Sequence, residues 1–184
     1  MKSSSEQKKS QFIATAAKEL AERQMEGLRL FRPQPHQIPF FTTQAQELLL
    51  RGGNRAGKSL CAAVIFASAL TGVPITMPDG TKIEFSKWKA PLTTWVIGYD
   101  QTHIGKTLYR LLFRPGAFKI IKDQGTGKWR CWRGPNDPHD GPREKETKPA
   151  PPLIPPRFID PKGWAWENKA LRVFSVCRLI NGSE

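Results

Sequence analysis

"LLLRGGNRAGKSLCAAVIF", residues 48–66, sets an apolar run against a glycine-rich turn and then a second apolar run. Within it, Gly52-Gly53-Asn54-Arg55-Ala56-Gly57-Lys58-Ser59 fits the pattern G-x-x-x-x-G-K-[ST] in full. The pattern has a mechanism. Glycines at 52 and 57 let the backbone wrap so that successive N–H groups point at phosphates. A helix starting near Lys58 brings the positive end of its dipole to the same anion. Lys58 can reach the β and γ phosphates of a nucleotide, and the Ser59 hydroxyl can ligate Mg²⁺. The plainer reading is a glycine turn followed by a stray lysine. Context favours the phosphate loop, because "ELLLRGG" (47–53) reads as a buried strand entering it. "KSLCAAVIFASALTGV" (58–73) reads as an apolar helix leaving it.

The rest of the chain extends this pattern. "TTWVIGYD" (93–100) reads as a second strand and "THIGKTLYRLLF" (102–113) as a helix behind it. Strand, helix, strand and helix in alternation predict a parallel α/β sheet flanked by helices. Upstream, residues 5–28 carry Ile13, Ala16, Leu20 and Leu28 at helical spacing, an amphipathic N-terminal helix within residues 1–28. In "FRPQPHQIPFF" (31–41) three prolines prevent a long regular element, and a short helix is expected around Thr43–Gln46. "PDG" (78–80) marks a loop, and "TKIEF" (81–85) a short edge strand.

Residues 29–184 therefore read as one partial domain. Its stretch 119–156 is a basic Gly/Pro-rich insertion or linker, with "KPAPPLIPP" (148–156) extended and polyproline-like. "LRVFSVCRLINGSE" (171–184) reads as a strand over 171–180 entering an Asn181-Gly182 turn. A hairpin turn is followed by a second strand, so the chain reads as cut there.

Composition bounds the function. The 184 residues suffice for one domain with a real core. A hydrophobic fraction of 39% and a charged fraction of 24% fit a soluble globular protein. No apolar run reaches the roughly 18 residues of a membrane span. The polar start "MKSSSEQKKS" is unlike a secretory signal. Cys61, Cys131 and Cys177 lie far apart and read as free thiols of a reducing cytoplasm. Cys131 with His139 supplies too few ligands for zinc. Lys and Arg number 29 against 16 Asp and Glu, a net charge of +13. Such a surplus favours polyanions, nucleic acid above all, through counterion release. A charged, soluble surface without a partner is the alternative.

Hydrolysis of ATP needs a carboxylate to hold Mg²⁺ and an acid to orient water. Asp100 ends the second strand, yet it has no acid beside it and suits a helix N-cap better. Asp160 follows two prolines, which a central strand does not accept. Glu184 is the last residue. No convincing pair of acids stands out. Two further glycine-lysine stretches, "GKT" (105–107) and "GTGK" (125–128), lack the first glycine of the loop pattern and read as solvated turns. Trp129 and Trp132 interleave with Lys122, Lys128, Arg130 and Arg133, which suits nucleic acid or a flexible basic insertion. Trp164 and Trp166 read as packing onto the sheet.

Taken together, "FRPQPHQIPFF", "LLLRGGNRAGKS" and "LRVFSVCRLINGSE" resemble the N-terminal ATPase domain of phage terminase large subunits, the DNA-packaging motors. The resemblance covers 29–73 well, 93–113 loosely and 171–184 suggestively. It implies an ASCE-like P-loop fold that binds ATP and Mg²⁺ and powers packaging of double-stranded DNA into procapsids. It places the adenine on Gln37 and the phosphates on Gly52, Gly53, Asn54, Arg55, Ala56, Gly57, Lys58 and Ser59. Lys58 and Arg55 become catalytic, with Arg55 assisting phosphate transfer, and Ser59 holds the metal. DNA contact would fall on Lys128, Trp129, Arg130 and Arg133. Implied partners are the terminase small subunit, the portal protein and further copies of the chain in a homo-oligomer. The family's acidic strand and C-terminal nuclease domain have no counterpart before Glu184. Two other readings remain, a small P-loop phosphotransferase with 119–150 as its lid, and a basic DNA-binding module without catalysis.

Overall fold

The structure, a computed structural model, describes residues 12–15, 17, 26–43, 45, 47, 49, 51–53, 57–84, 91–97 and 100–184. Of the N-terminal helix expected over 5–28, the described residues 12–15 and 17 are helical. A single turn, α1 (Gly27–Leu30), then buries Leu28 and Leu30. Its glycine is forced by packing. A Cβ on Gly27 would stand 2.4 Å from the Pro151 carbonyl oxygen, and its N–H donates to the Pro152 carbonyl at 2.9 Å. Buried Glu26 beside it pairs with Arg29 and Arg157. The proline-broken stretch forms a 3₁₀ turn, Pro35–Gln37, and then α2 (Ile38–Thr42). Pro39 lies in the first turn of α2, where a missing N–H costs nothing. The helix lies just before the expected 43–46.

The apolar run after the glycine loop is α3 (Lys58–Thr71), as its composition predicts. Both ends turn on glycines in the left-handed region, Gly57 at φ 81° and Gly72 at φ 71°. Cys61, Ala63, Val64, Ala67 and Leu70 pack with Leu28, Phe31, Phe41, Ile75, Leu112, Leu153 and Ile154 in one core. Each large side chain so buried contributes about 1.5–3 kcal/mol. Strands β1 (Ile75–Thr76) and β2 (Lys82–Ile83) pair antiparallel around the "PDG" turn. Helix α4 (Gln101–Leu108) runs on into a π-helical turn, Tyr109–Phe113, so the helix expected over 102–113 is present.

The expected parallel sheet is not. Among the described residues the strands form three small antiparallel sheets. In the stretch 47–53, the described residues are not in a strand, and Leu49 is 74% exposed. Residues 93–97 form no ladder either, with Trp95 and Ile97 over 80% exposed. A strand is defined by its partner, and apolar composition alone does not supply one, even where a helix such as α3 offers the crossover that a parallel pair needs. The hydrogen bonds made by the second stretch go to the last residues. Glu184 donates its N–H to the Leu92 carbonyl (2.8 Å), and Thr94 donates to the Glu184 carbonyl (2.7 Å).

The insertion is folded. Strands β3 (Lys119–Lys122), β4 (Trp129–Cys131) and β5 (Lys148–Pro149) form a sheet ordered β4-β3-β5. Ile120 and Ala150 pack under it against Leu30. The proline-rich stretch that follows is extended but is no linker, because Leu153 and Ile154 lie fully inside the main core. Proline suits this place, since it brings no backbone N–H that would need a buried acceptor.

The last sheet pairs β6 (Ile159–Asn168) with β7 (Val173–Leu179), in which the strand read over 171–180 is recovered. Asp160 and Pro161 are the second and third residues of β6, which tolerates the proline because the pairing with β7 is irregular between Ile159 and Trp164 and a two-stranded sheet leaves an open edge. Gly182, at φ 83°, turns the chain after β7 so that Ser183 and Glu184 meet residues 92–94. No helix among the described residues is long and apolar enough to cross a membrane.

Candidate functional site

The N-terminus of α3 is built from a loop, a lysine and a glutamine that arrives from elsewhere in the chain. The first intrahelical bond runs from the Cys61 N–H to the Gly57 carbonyl at 2.9 Å. The N–H groups of Lys58, Ser59 and Leu60 precede it, so the helix offers them outward at its positive end. Lys58 folds back over the loop. Its ammonium donates to the carbonyls of Gly52 (2.6 Å) and Gly53 (2.8 Å), closing the loop into a ring through one side chain. Ser59 is exposed beside it. Asn54, Arg55 and Ala56, the crest of the sequence motif, lie outside the described residues.

Gln37 joins this group. It is 8% exposed, and its Oε1 accepts the Gln34 N–H at 2.9 Å. Its Nε2 lies 2.5 Å from where a Cβ on residue 57 would stand. Residues 20 positions apart thus meet, and glycine at 57 answers both the backbone angle and the approach of the amide. The fold brings together Gln37, Gly57 and Lys58, with Gly52 and Gly53 at the lysine's end.

The carboxylates weighed for catalysis have local roles. Asp100 directly precedes α4, where an N-cap belongs. Asp160 accepts the Lys162 N–H at 2.8 Å. Glu184 pairs with Arg178 at 3.2 Å. Among the described residues no three His, Cys, Asp or Glu side chains group as a metal site. A nucleotide-bound Mg²⁺ would have the Ser59 hydroxyl as its donor from the loop. The two other glycine-lysine stretches are structural. "GKT" lies within α4 instead of in a turn, with Gly105 packed on Val173 of β7. "GTGK" turns between β3 and β4, with Gly127 at φ 66°.

The basic insertion is organised around a buried acid. Asp140 is fully buried and takes a two-pronged bond from Arg130, Nη1 to Oδ2 at 2.5 Å and Nη2 to Oδ1 at 2.7 Å. Arg130 Nε also donates to Asp123 at 2.9 Å. The backbone N–H of Arg133 donates to the same carboxylate at 3.2 Å, and the Trp132 indole N–H donates to the Asp140 backbone carbonyl at 3.0 Å. Arg130 holds the Asp140 carboxyl below the usual carboxylate range, and Asp140 in turn raises the guanidinium above its ordinary value. Asp123 is lowered chiefly by the Thr126 N–H and then by Arg130. Of the four residues read as a DNA contact, Arg130 is thus committed internally. Arg133 reaches Asp137 and Asp140 at 3.5 and 3.6 Å, and Trp129 lies under Lys148. Lys128 is exposed.

The three cysteines are free. Burial raises the thiol of Cys61 to about 11 and that of Cys177 to about 12, so both are protonated and unreactive at neutral pH.

Sequence reasoning missed a second concavity. Trp164 and Trp166 do not serve as sheet packing alone. They stack on each other at 4.5 Å between ring centroids and meet Tyr109 of the π turn at 5.9 Å each. A signal was present, since W-x-W in a strand puts both rings on one face.

Comparison of the chain with protein-family models, curated proteins and solved structures finds no match.

Proposed function

We propose that the chain is the nucleotide-binding module of a viral DNA-packaging motor of the terminase large-subunit type. The juxtaposition of Gln37 with the N-terminus of α3 carries the reading. A phosphate loop needs backbone amides, a lysine and a serine, and any such protein has these. A buried amide held against the loop glycine is a further feature, and it fits an adenine-reading group next to a triphosphate. In this account ATP enters with its phosphates at the N–H groups of residues 58–60. Lys58 exchanges its two carbonyl partners for phosphate oxygens, and Ser59 supplies a ligand to Mg²⁺. The nucleotide would bring the phosphoanhydride whose hydrolysis drives the motor, while these residues bind and orient it. Arg55 would assist phosphate transfer. Double-stranded DNA, the small subunit, the portal protein and further copies of the chain follow as partners from the same resemblance. The place of action would be the host cytoplasm.

Titration with a fluorescent ATP analogue in the presence of Mg²⁺ tests this. Lys58→Ala is expected to weaken binding by at least about tenfold, the loss of one charge-assisted phosphate contact. Retention of full affinity by Lys58→Ala would overturn it. DNA binding with a steep salt slope and no response to ATP would point instead to a basic module without catalysis.

A further inference from the structure

Between the π-helical turn and the β6–β7 hairpin lies an open cavity of about 600 Å³. Its floor is aromatic, made by Tyr109, Phe113, Trp164 and Trp166. The rings brace one another: Phe113 meets Trp164 edge-on at 4.9 Å, and Phe174 does the same at 5.1 Å from below. Its rim carries Lys162, Lys169 and Arg172, with Asp160 as the one acid. The Asp160 carboxylate is already engaged by the Lys162 backbone N–H. The balance at the rim is strongly cationic.

Arg172 is the most telling residue. It is the one non-glycine residue with a positive φ among those described, at 58°. Left-handed backbone costs an ordinary residue about 1–2 kcal/mol. Here it points the guanidinium at the cavity, 5.4 Å from the Tyr109 ring centre and 5.9 Å from that of Trp166. A flat, delocalised cation already lies on the ring faces, in the kind of seat a nucleobase would take.

We propose that this cleft binds single-stranded nucleic acid, with an unpaired base taking the seat of the Arg172 guanidinium over Trp166 and Tyr109, Trp164 backing Trp166 from its other face, and phosphates meeting Lys162, Lys169 and the displaced Arg172. The chemistry selects this occupant. Aromatic floors with cationic rims are how sequence-tolerant single-strand sites are made. In a duplex the bases stack on each other and hide their faces, so a ring platform gains nothing from it. An acidic peptide would use the rim but leave the rings idle. The net charge of +13 adds long-range attraction for a polyanion. The cleft is separate from the α3 loop, and the inference does not rest on nucleotide binding there.

The test is fluorescence anisotropy of a labelled oligo-dT of about 12 nucleotides, with the full chain and no ATP, against a duplex of equal length. Trp166→Ala is expected to weaken single-strand binding about tenfold and leave duplex binding unchanged. Trp166→Phe should restore most of the loss. Lys162→Gln with Lys169→Gln lies wholly on exposed positions and leaves the packing intact. It should reduce the slope of log K against log salt by about 1.4, the value for two phosphate contacts on a single strand. Unchanged oligo-dT affinity in both variants would overturn the proposal. Equal losses for single strand and duplex, or displacement by dTMP at the same nucleotide concentration, would overturn it too.

Discussion

A φ of 81° at Gly57 and a glutamine amide where a Cβ would stand make this residue hard to replace. Gly57→Ala meets the left-handed penalty of about 1–2 kcal/mol. It also pushes on Gln37, whose side chain is anchored by the Gln34 N–H. The combined loss is expected at about 2 kcal/mol in urea denaturation, and Gln37→Ala in the same chain should recover part of it. That recovery measures the contact as a double-mutant coupling, and strict additivity of the two losses would show that the side chains do not press on each other. Lys58 presents the complementary case. Its ammonium is satisfied by Gly52 and Gly53 carbonyls, so the residue that a nucleotide would recruit meanwhile holds the loop's two ends together.

At the scale of elements, the insertion sheet stands on one ion-pair knot. Asp140→Asn keeps the shape but leaves Arg130 facing a neutral group in a half-buried site. Removing one partner of a buried pair costs about 3–5 kcal/mol, and the lower figure suits an arginine still held by Asp123. Thermal unfolding followed by tryptophan fluorescence would report it, since Trp129 lies in this sheet and Trp132 directly follows it. The pH dependence follows from the lowered carboxyl of Asp140. A group held below its ordinary value stabilises the fold above the unfolded-state value of about 4 and loses that contribution as pH falls toward the folded-state value. Acid should therefore weaken the wild type below about pH 4 more than Asp140→Asn. Identical acid profiles would show the pair to be neutral in the balance.

Elements were legible in the sequence where local chemistry decides them. The apolar run between Gly57 and Gly72 had to be a helix, because both ends carry the residue that turns it. Residues 173–179 alternate enough to be a strand. What local chemistry does not contain is the partner. β6 hides behind Asp160-Pro161, and its pairing with β7 decides where Trp164 and Trp166 point. The runs 47–53 and 93–97 are equally apolar, yet nothing pairs with them as strands among the described residues. β3, "KIIK", is only four residues long in a basic, glycine-rich surround, so its burial against Leu30 left no pattern to read. The site was half legible for the same reason. The loop is contiguous in sequence, whereas the meeting of Gln37 with Gly57, or of Tyr109 with Trp166, is tertiary.

For the molecule as a whole, the residues after β7 act as a tie between distant parts. Ser183 is fully buried, and its Oγ accepts the Leu92 N–H at 3.0 Å. The Asn181 side chain donates to the Leu70 carbonyl at the end of α3, 2.8 Å away across 111 positions. Ser183→Ala leaves the half-buried Leu92 N–H without its acceptor and should cost about 1 kcal/mol, read as a lower urea midpoint at unchanged slope. An unchanged midpoint would mean that the backbone pair at Glu184 suffices. The tie also sets an order of events. Leu92 and Thr94 leave the ribosome some 90 positions before the residues that pair with them. At synthesis rates of about 5–20 residues per second, that interval lasts between about 5 and 20 s. For that time the apolar segment carrying Trp95 and Ile97 has no tether at Leu92 and Thr94, and the fold closes there only after its last residues have been made.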